Sequence, residues 1–180
     1  MSRSGPSGIS TIPVVGLYSS PADQKTPNGG YVLPMPVIVV GADTAPGRPI
    51  SEGLLSLERE VRLFVSDEAA GAAFKKAGFK VAIGDVSDES HVEAAATHCF
   101  TAVLITAAAH DERERSFASS AREVVEQWAN AVTNAAVKRV IWVTSEVPPS
   151  TDAYETATVD PNDADLVAKV VSLDEVQRIL

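Results

Sequence analysis

The residues with the clearest chemical potential lie in Val37–Arg48, VIVVGADTAPGR. A β-branched apolar run stops at Gly41, a second glycine follows at Gly47, and a helix-like segment comes next. This layout sets a helix N-terminus, with its free N–H groups and positive dipole end, beside a strand end, where a phosphate is attracted. In a dinucleotide-binding turn the first glycine makes the bend, the middle one allows close backbone approach, and the last lets helix and strand pack. Gly41 and Gly47 can fill the first and last roles, whereas Thr44 puts a branched side chain in the middle. Asp43 adds negative charge, Pro46 removes one N–H donor, and Arg48 would offset the charge if its side chain turned back. The candidates for contacting a pyrophosphate are therefore Gly41, Asp43, Thr44, Ala45, Gly47 and Arg48. Read alone, the loop supports a strand, a turn and a helix.

Other reactive side chains give weaker patterns. His91, His98, Cys99 and His110 match no zinc-ligand spacing, so loop and core roles are expected and no metal is assigned. Cys99 beside Phe100 reads as a small buried residue rather than a nucleophile. Asp111–Arg115, DERER, reads as a solvated helix start with its acids toward the positive dipole end.

Positioning these groups requires regular elements, and the hydrophobic pattern supplies them. Strands are expected at Pro36–Val40, Val61–Val65, Lys80–Ile83, Ala102–Ile105 and Val140–Thr144. Helices are expected near Pro49–Leu57, Asp67–Ala77, Glu89–Ala96 and Arg115–Ala136. In the last, Phe117, Ala121, Val124, Val125, Trp128, Val132 and Ala135 recur at helical spacing. Strands alternating with helices imply a parallel sheet covered on both faces. Right-handed crossovers then give an α/β, doubly wound, Rossmann-like fold of three layers (α/β/α) with five or six strands. In the tail, Asp160-Pro161 suggests an N-cap, and Leu166, Val170, Leu173, Val176 and Leu180 form a stripe. Ser172 with Glu175 could break and restart that helix. Residues 1–34, interrupted repeatedly by Pro and Gly, read as a disordered extension, leaving a single domain over 35–180.

Composition narrows the partners. Fifteen Lys and Arg against 24 Asp and Glu give a net charge of -9, with no basic run to meet a nucleic acid or an anionic membrane. No apolar stretch approaches the roughly 20 residues of a membrane span. One cysteine and no signal-like N-terminus suit the cytoplasm.

From Met35 to Ser145 the chain resembles the NmrA-like and related atypical short-chain dehydrogenase/reductases. GADTAPGR stands where that family has GATGxxGR, with Gly41, Ala42, Gly47 and Arg48 matching. GLLSLEREVRLFVSDEAA looks like the next helix and strand. VAIGDVSDESHVEAAA resembles the family's GDxxD segment through Gly84, Asp85 and Asp88, and VKRVIWVTS resembles its VKRxVxxSS strand. The resemblance implies an NAD or NADP cofactor, with Asp85 and Val86 beside the adenine. Ala107, in a small-residue run after the fourth strand, would let a nicotinamide ribose approach or would serve plain packing. Asp85 could equally cap the helix after it. Ser66 stands where NADP-preferring relatives often carry an arginine, and Asp67 and Glu68 follow. NAD is therefore favoured over NADP if a cofactor binds. The changes at Asp43, Thr44 and Pro46 are expected to weaken or abolish phosphate affinity.

The same resemblance implies a catalytic Tyr with a Lys four residues later, the ammonium lowering the tyrosine pKa. Ser145 matches the family's serine, but Tyr154 lies only nine residues on, and four residues past it stands Thr158. Ser145 and Tyr154 remain the catalytic candidates, without the pair. The leading expectation is a dinucleotide-sensing or regulatory domain. Two alternatives stay open: an oxidoreductase using bound NAD(P)H without the pair, and a ligand-free scaffold acting by protein contacts, most simply a homodimer through the helix bearing Trp128.

Overall fold

A computed structural model describes residues 35–55, 59–111 and 116–175. The expectations for residues 1–34, for helix at 56–57, for the DERER helix start at 112–115, and for Val176 and Leu180 lie outside the described residues.

Six strands form one parallel sheet: β1 (Val37–Val40), β2 (Val61–Val65), β3 (Lys80–Ile83), β4 (Thr101–Ile105), β5 (Arg139–Val143) and β6 (Glu155–Val159). Their order, β3-β2-β1-β4-β5-β6, is that of the doubly wound dinucleotide-binding fold. Helices α1 (Gly47–Leu55), α2 (Glu68–Lys76), α3 (Glu89–Ala96), α4 (Ala121–Asn134) and α5 (Leu166–Glu175) connect or follow the strands. A 3-10 turn over Thr106–His110 leaves β4.

Strand alternation divides the core between two faces. Ile38, Val40, Phe64, Leu104 and Trp142 pack toward residues of α3 and α4. Val37, Val39, Leu63, Val103, Ile105 and Ile141 pack toward α1, α2 and α5. Side chains pointing to both faces are buried, so the central strands read as continuous apolar runs. Each fully buried Val, Leu, Ile or Phe contributes about 1.5–3 kcal/mol, enough for short strands to hold without an exposed polar face. Side-chain caps set the helix starts: Asp67 for α2, Asp88 for α3 and Ser120 for α4.

Three local expectations are corrected. The long helix begins at Ala121, because Ser120 caps it, and Phe117 sits before it, 59% exposed. Trp128 itself is fully buried, and its Nε1 donates to the Val86 carbonyl at 2.6 Å. Asp160-Pro161 does not start the last helix: Asp160 accepts from Asn162 N and Asp163 from Asp165 N in two successive turns, and α5 begins at Leu166. That helix then runs unbroken through Ser172.

At the amino edge of the sheet, buried Asp174 of α5 pairs with Arg59 and Arg139. Arg139 also binds Glu155 of β6 at 2.6 Å, which ties α5 and the edge strand to β5.

Candidate functional site

The loop after β1 is held by its own backbone. Gly41 adopts φ +82°, and a Cβ there would come within 2.8 Å of Ala108 Cβ. A Cβ on Gly47 would meet the Gly41 carbonyl oxygen at 2.4 Å. Both glycines are therefore required by the close approach of β1, α1 and the turn after β4. Thr44 N and Gly47 N donate to Gly41 O and Thr44 O at 3.1 and 3.0 Å, forming two linked turns. The Thr44 hydroxyl folds inward and donates to Gly41 O at 2.6 Å.

Asp43 points across the sheet to the end of β2. Its Oδ2 accepts from Ser66 N at 3.0 Å, Ser66 Oγ at 3.3 Å and Asp67 N at 3.0 Å. Asp67 in turn accepts from Ala70 N at 2.6 Å, capping α2. Arg48 does not turn back toward Asp43. Its guanidinium lies over the Phe74 ring, 4.6 Å from the centroid, and reaches Glu52 at 3.7 Å along α1. Ala45 is exposed at the turn.

Asp43, Thr44, Ser66, Asp67, Ala107, Ala108 and Asp111 line a cavity of about 420 Å³ at the carboxyl ends of β1, β2 and β4. It opens where the strand order reverses between β1 and β4, the crevice in which doubly wound folds bind ligands. Among the described residues that line it, the charged side chains are all carboxylates. The structure thus brings Asp43, Thr44, Ser66 and Ala107 together around one cavity.

Asp85 and Val86 lie outside that lining, in the turn between β3 and α3. Asp85 Oδ1 accepts from Ser87 N and Oγ at 2.8 and 2.6 Å, and Oδ2 accepts from Ser116 N at 3.0 Å. Burial raises the Asp85 pKa, but the hydrogen bonds from Ser87 and Ser116 outweigh it and hold the carboxyl below the usual range. Ser87 Oγ also accepts from Phe117 N at 3.0 Å. The Asp85 turn therefore pins the segment that leads into α4, while the Val86 carbonyl receives Trp128 and its side chain enters the core. Ser87 and Ser116 had no signal in the sequence that would mark them as partners of Asp85.

The two catalytic candidates are not brought together. Ser145 is exposed just past β5, at the carboxyl edge. Tyr154 precedes β6, whose register pairs Glu155 with Arg139, so it stands at the amino edge with its ring 5.3 Å from Lys138 Nζ. The length of β5 between them is about 13 Å. A second cavity, about 720 Å³, lies at the carboxyl ends of β4 and β5, with Thr106, His110, Arg122, Val125, Thr144 and Val147 among its lining. His110 lines it, whereas His98 and Cys99 precede β4 at the opposite edge. Burial pushes the Cys99 thiol up to about 11, which leaves it protonated and unreactive near neutrality.

Sheet order, glycine-constrained first loop and switch-point cavity define a Rossmann-type domain of the dinucleotide-binding class. The sequence matches the family described as NAD(P)H-binding over residues 41–172, and the chain belongs to that family. A comparison with curated proteins finds no match. Among solved structures, an NADPH-dependent quinone oxidoreductase from Escherichia coli, complexed with NADPH, is similar at a TM-score of 0.50 and 19% identity, over 60% of this chain and 36% of that one. Citrobacter sp. triphenylmethane reductase is similar at 0.51 and 16% identity, over 63% of this chain and 40% of that one. The match spans well under half of either structure, and at this identity it shows the shared fold. The chain thus has a Rossmann-like fold of the NAD(P)H-binding family. No helix among the described residues is long and apolar enough to cross a membrane.

The residues fit a dinucleotide in shape. The Gly41 and Gly47 turn is kept, a cavity opens at the switch point, and Ala107 and Ala108 leave room beside it. They fit less well in charge, since Asp43 already takes the donors at the end of β2.

Proposed function

We propose that this domain binds a nicotinamide dinucleotide at the carboxyl edge of β1, β2 and β4, prefers NAD(H) to NADP(H), and acts as a sensing or regulatory module. The observation that carries the reading is the switch-point cavity between the Gly41–Gly47 turn and the Ala107–Ala108 turn. Thr44, with its hydroxyl folded onto Gly41 O, keeps the loop compact beside the pyrophosphate position. Ser66, Asp67 and Glu68 at the end of β2 offer no cation to a 2′-phosphate and repel it weakly through partly screened carboxylates. The dinucleotide, when bound, supplies hydride chemistry. The sensing role is supported by the separation of Ser145 from Tyr154 across the length of β5 and by Thr158 in place of a lysine.

One observation favours a second reading, an oxidoreductase that works without the Tyr/Lys pair. The 720 Å³ cavity beside Thr144 is of a size that holds a small organic substrate, and His110 in its lining could hand over a proton.

Calorimetric titration with NAD(H) and NADP(H) tests both readings. Binding of NADH without its oxidation by quinones, flavins or aldehydes supports the sensor. Turnover that is lost in His110→Ala supports the second reading. Absence of any binding at millimolar ligand refutes both.

A further inference from the structure

The geometry points to Asp43 as the residue that sets which dinucleotide is accepted, because its carboxylate occupies, from within the chain, the anion-binding donors at the end of β2. The inference rests on the dinucleotide reading above and deepens it.

Three donors converge on one oxygen: Ser66 N, Ser66 Oγ and Asp67 N all reach Asp43 Oδ2. They lie at the carboxyl end of β2, where this fold reads the 2′ position of the adenosine ribose. A phosphate monoester at that position would require such a set of N–H and O–H groups, one of them at the N-cap of α2. Asp43 supplies the anion itself. The carboxylate is fixed in place by partners 23 and 24 residues away in sequence, and Arg48, the nearest cation of the loop, faces Phe74 and Glu52 rather than Asp43. A 2′-phosphate would therefore meet donors already in use as well as a negative charge. A ribose 2′-hydroxyl has no such conflict, since it can donate to the carboxylate.

Occupancy and plain repulsion make different predictions. Asp67 lines the same cavity, and its side chain caps α2 without touching the donors that Asp43 holds. Asp67→Asn removes one negative charge, keeps a capping side chain and leaves the Asp43 contacts in place. Asp43→Ala frees the donors. Asp43→Thr also frees them with the residue that the resembling family carries there, and gives a second variant should the alanine protein not fold.

The test is titration of wild type, Asp43→Ala, Asp43→Thr and Asp67→Asn with 5′-AMP and 2′,5′-ADP, with folding followed by circular dichroism. Freed donors bonded to a charged group are expected to tighten 2′,5′-ADP about tenfold or more in the Asp43 variants relative to 5′-AMP. Asp67→Asn should move that ratio less than about threefold, as expected for one partly screened charge. An unchanged ratio in a folded Asp43 variant overturns the inference, and so does an equal change in Asp67→Asn. Failure of wild type to bind NAD or 5′-AMP refutes the proposed function separately. A gain of 2′,5′-ADP binding in the Asp43 variants would still support the assignment of Asp43.

Discussion

Replacement of Asp174 by Asn should destabilise the domain more than any surface charge change. Asp174 is 2% exposed and sits between Arg139, 4% exposed, and Arg59, whose side chain is 18% exposed. Asparagine preserves volume and leaves the backbone carbonyl that Arg139 Nη1 uses, so the loss is the carboxylate alone. Removing one partner of a buried pair costs about 3–5 kcal/mol, because the other charge is left uncompensated. Two features place this case at the low end. Arg139 keeps Glu155 at 2.6 Å, and Arg59 can rehydrate from its partly open position. A loss of about 3 kcal/mol, with a urea slope of about 2 kcal/mol/M, moves the denaturation midpoint down by about 1.5 M. Urea unfolding followed by Trp fluorescence measures it, with Arg122→Ala as the control, whose exposed pair with Glu126 should leave the midpoint unchanged. A midpoint shift below about 0.5 M, at an unaltered slope, would refute the claim that this cluster clamps α5 and β6 to the sheet.

Two further outcomes are expected. Gly47→Ala should cost about 1–3 kcal/mol by overpacking, since the new Cβ meets the Gly41 carbonyl at 2.4 Å with backbone on every side, and thermal melting reads it; a neutral result would mean that the loop relaxes freely. Asp85 has a folded pKa below its unfolded value of about 3.9, so its stabilisation is fully present above about pH 5 and is lost as pH falls through the lowered folded value. The melting-temperature gap between wild type and Asp85→Asn should therefore narrow in acid, and a gap constant from pH 7 to pH 3 would contradict the assignment.

The central strands are legible because VIVV, VRLFV and RVIWV are apolar runs suited to two-sided burial, and apolar spacing gives α3 its observed bounds, although its cap is Asp88 rather than Asp85. Glu155–Val159 is hard to read as a strand, since ETATV puts Thr156 and Thr158 on an exposed edge and buries little beyond Val159. Its period-2 alternation of threonine with Ala157 and Val159 was the available signal. Candidate-site residues near the β1 loop were legible through glycine geometry. The partners of Asp43 and Asp85 were not, because a carboxylate's hydrogen-bond partners depend on where the crossovers set two distant turns, and pattern along the chain does not encode that distance.

Glycine positions in the first loop carry less weight about ligand than their motif suggests. Gly41 is required by its positive φ and by Ala108, and Gly47 by the Gly41 carbonyl, so both would be needed in a domain that bound nothing. No close contact of the kind that fixes the two glycines is what holds Asp43; its carboxylate is held by hydrogen bonds to Ser66 and Asp67. A small neutral side chain would satisfy the loop, and Ser66 and Asp67 could give their N–H groups to water at this open cavity. The question of what the domain recognises therefore turns on the Asp43 carboxylate rather than on glycines that the fold needs. If Asp43 were only a brace between β1 and β2, its replacement by Thr would lower stability and leave nucleotide discrimination untouched. If it stands in for a ligand phosphate, the same change alters discrimination at nearly constant stability, because water replaces the carboxylate at the donors. The two outcomes separate on one purified variant, by melting temperature and by the ratio of 2′,5′-ADP to 5′-AMP affinity.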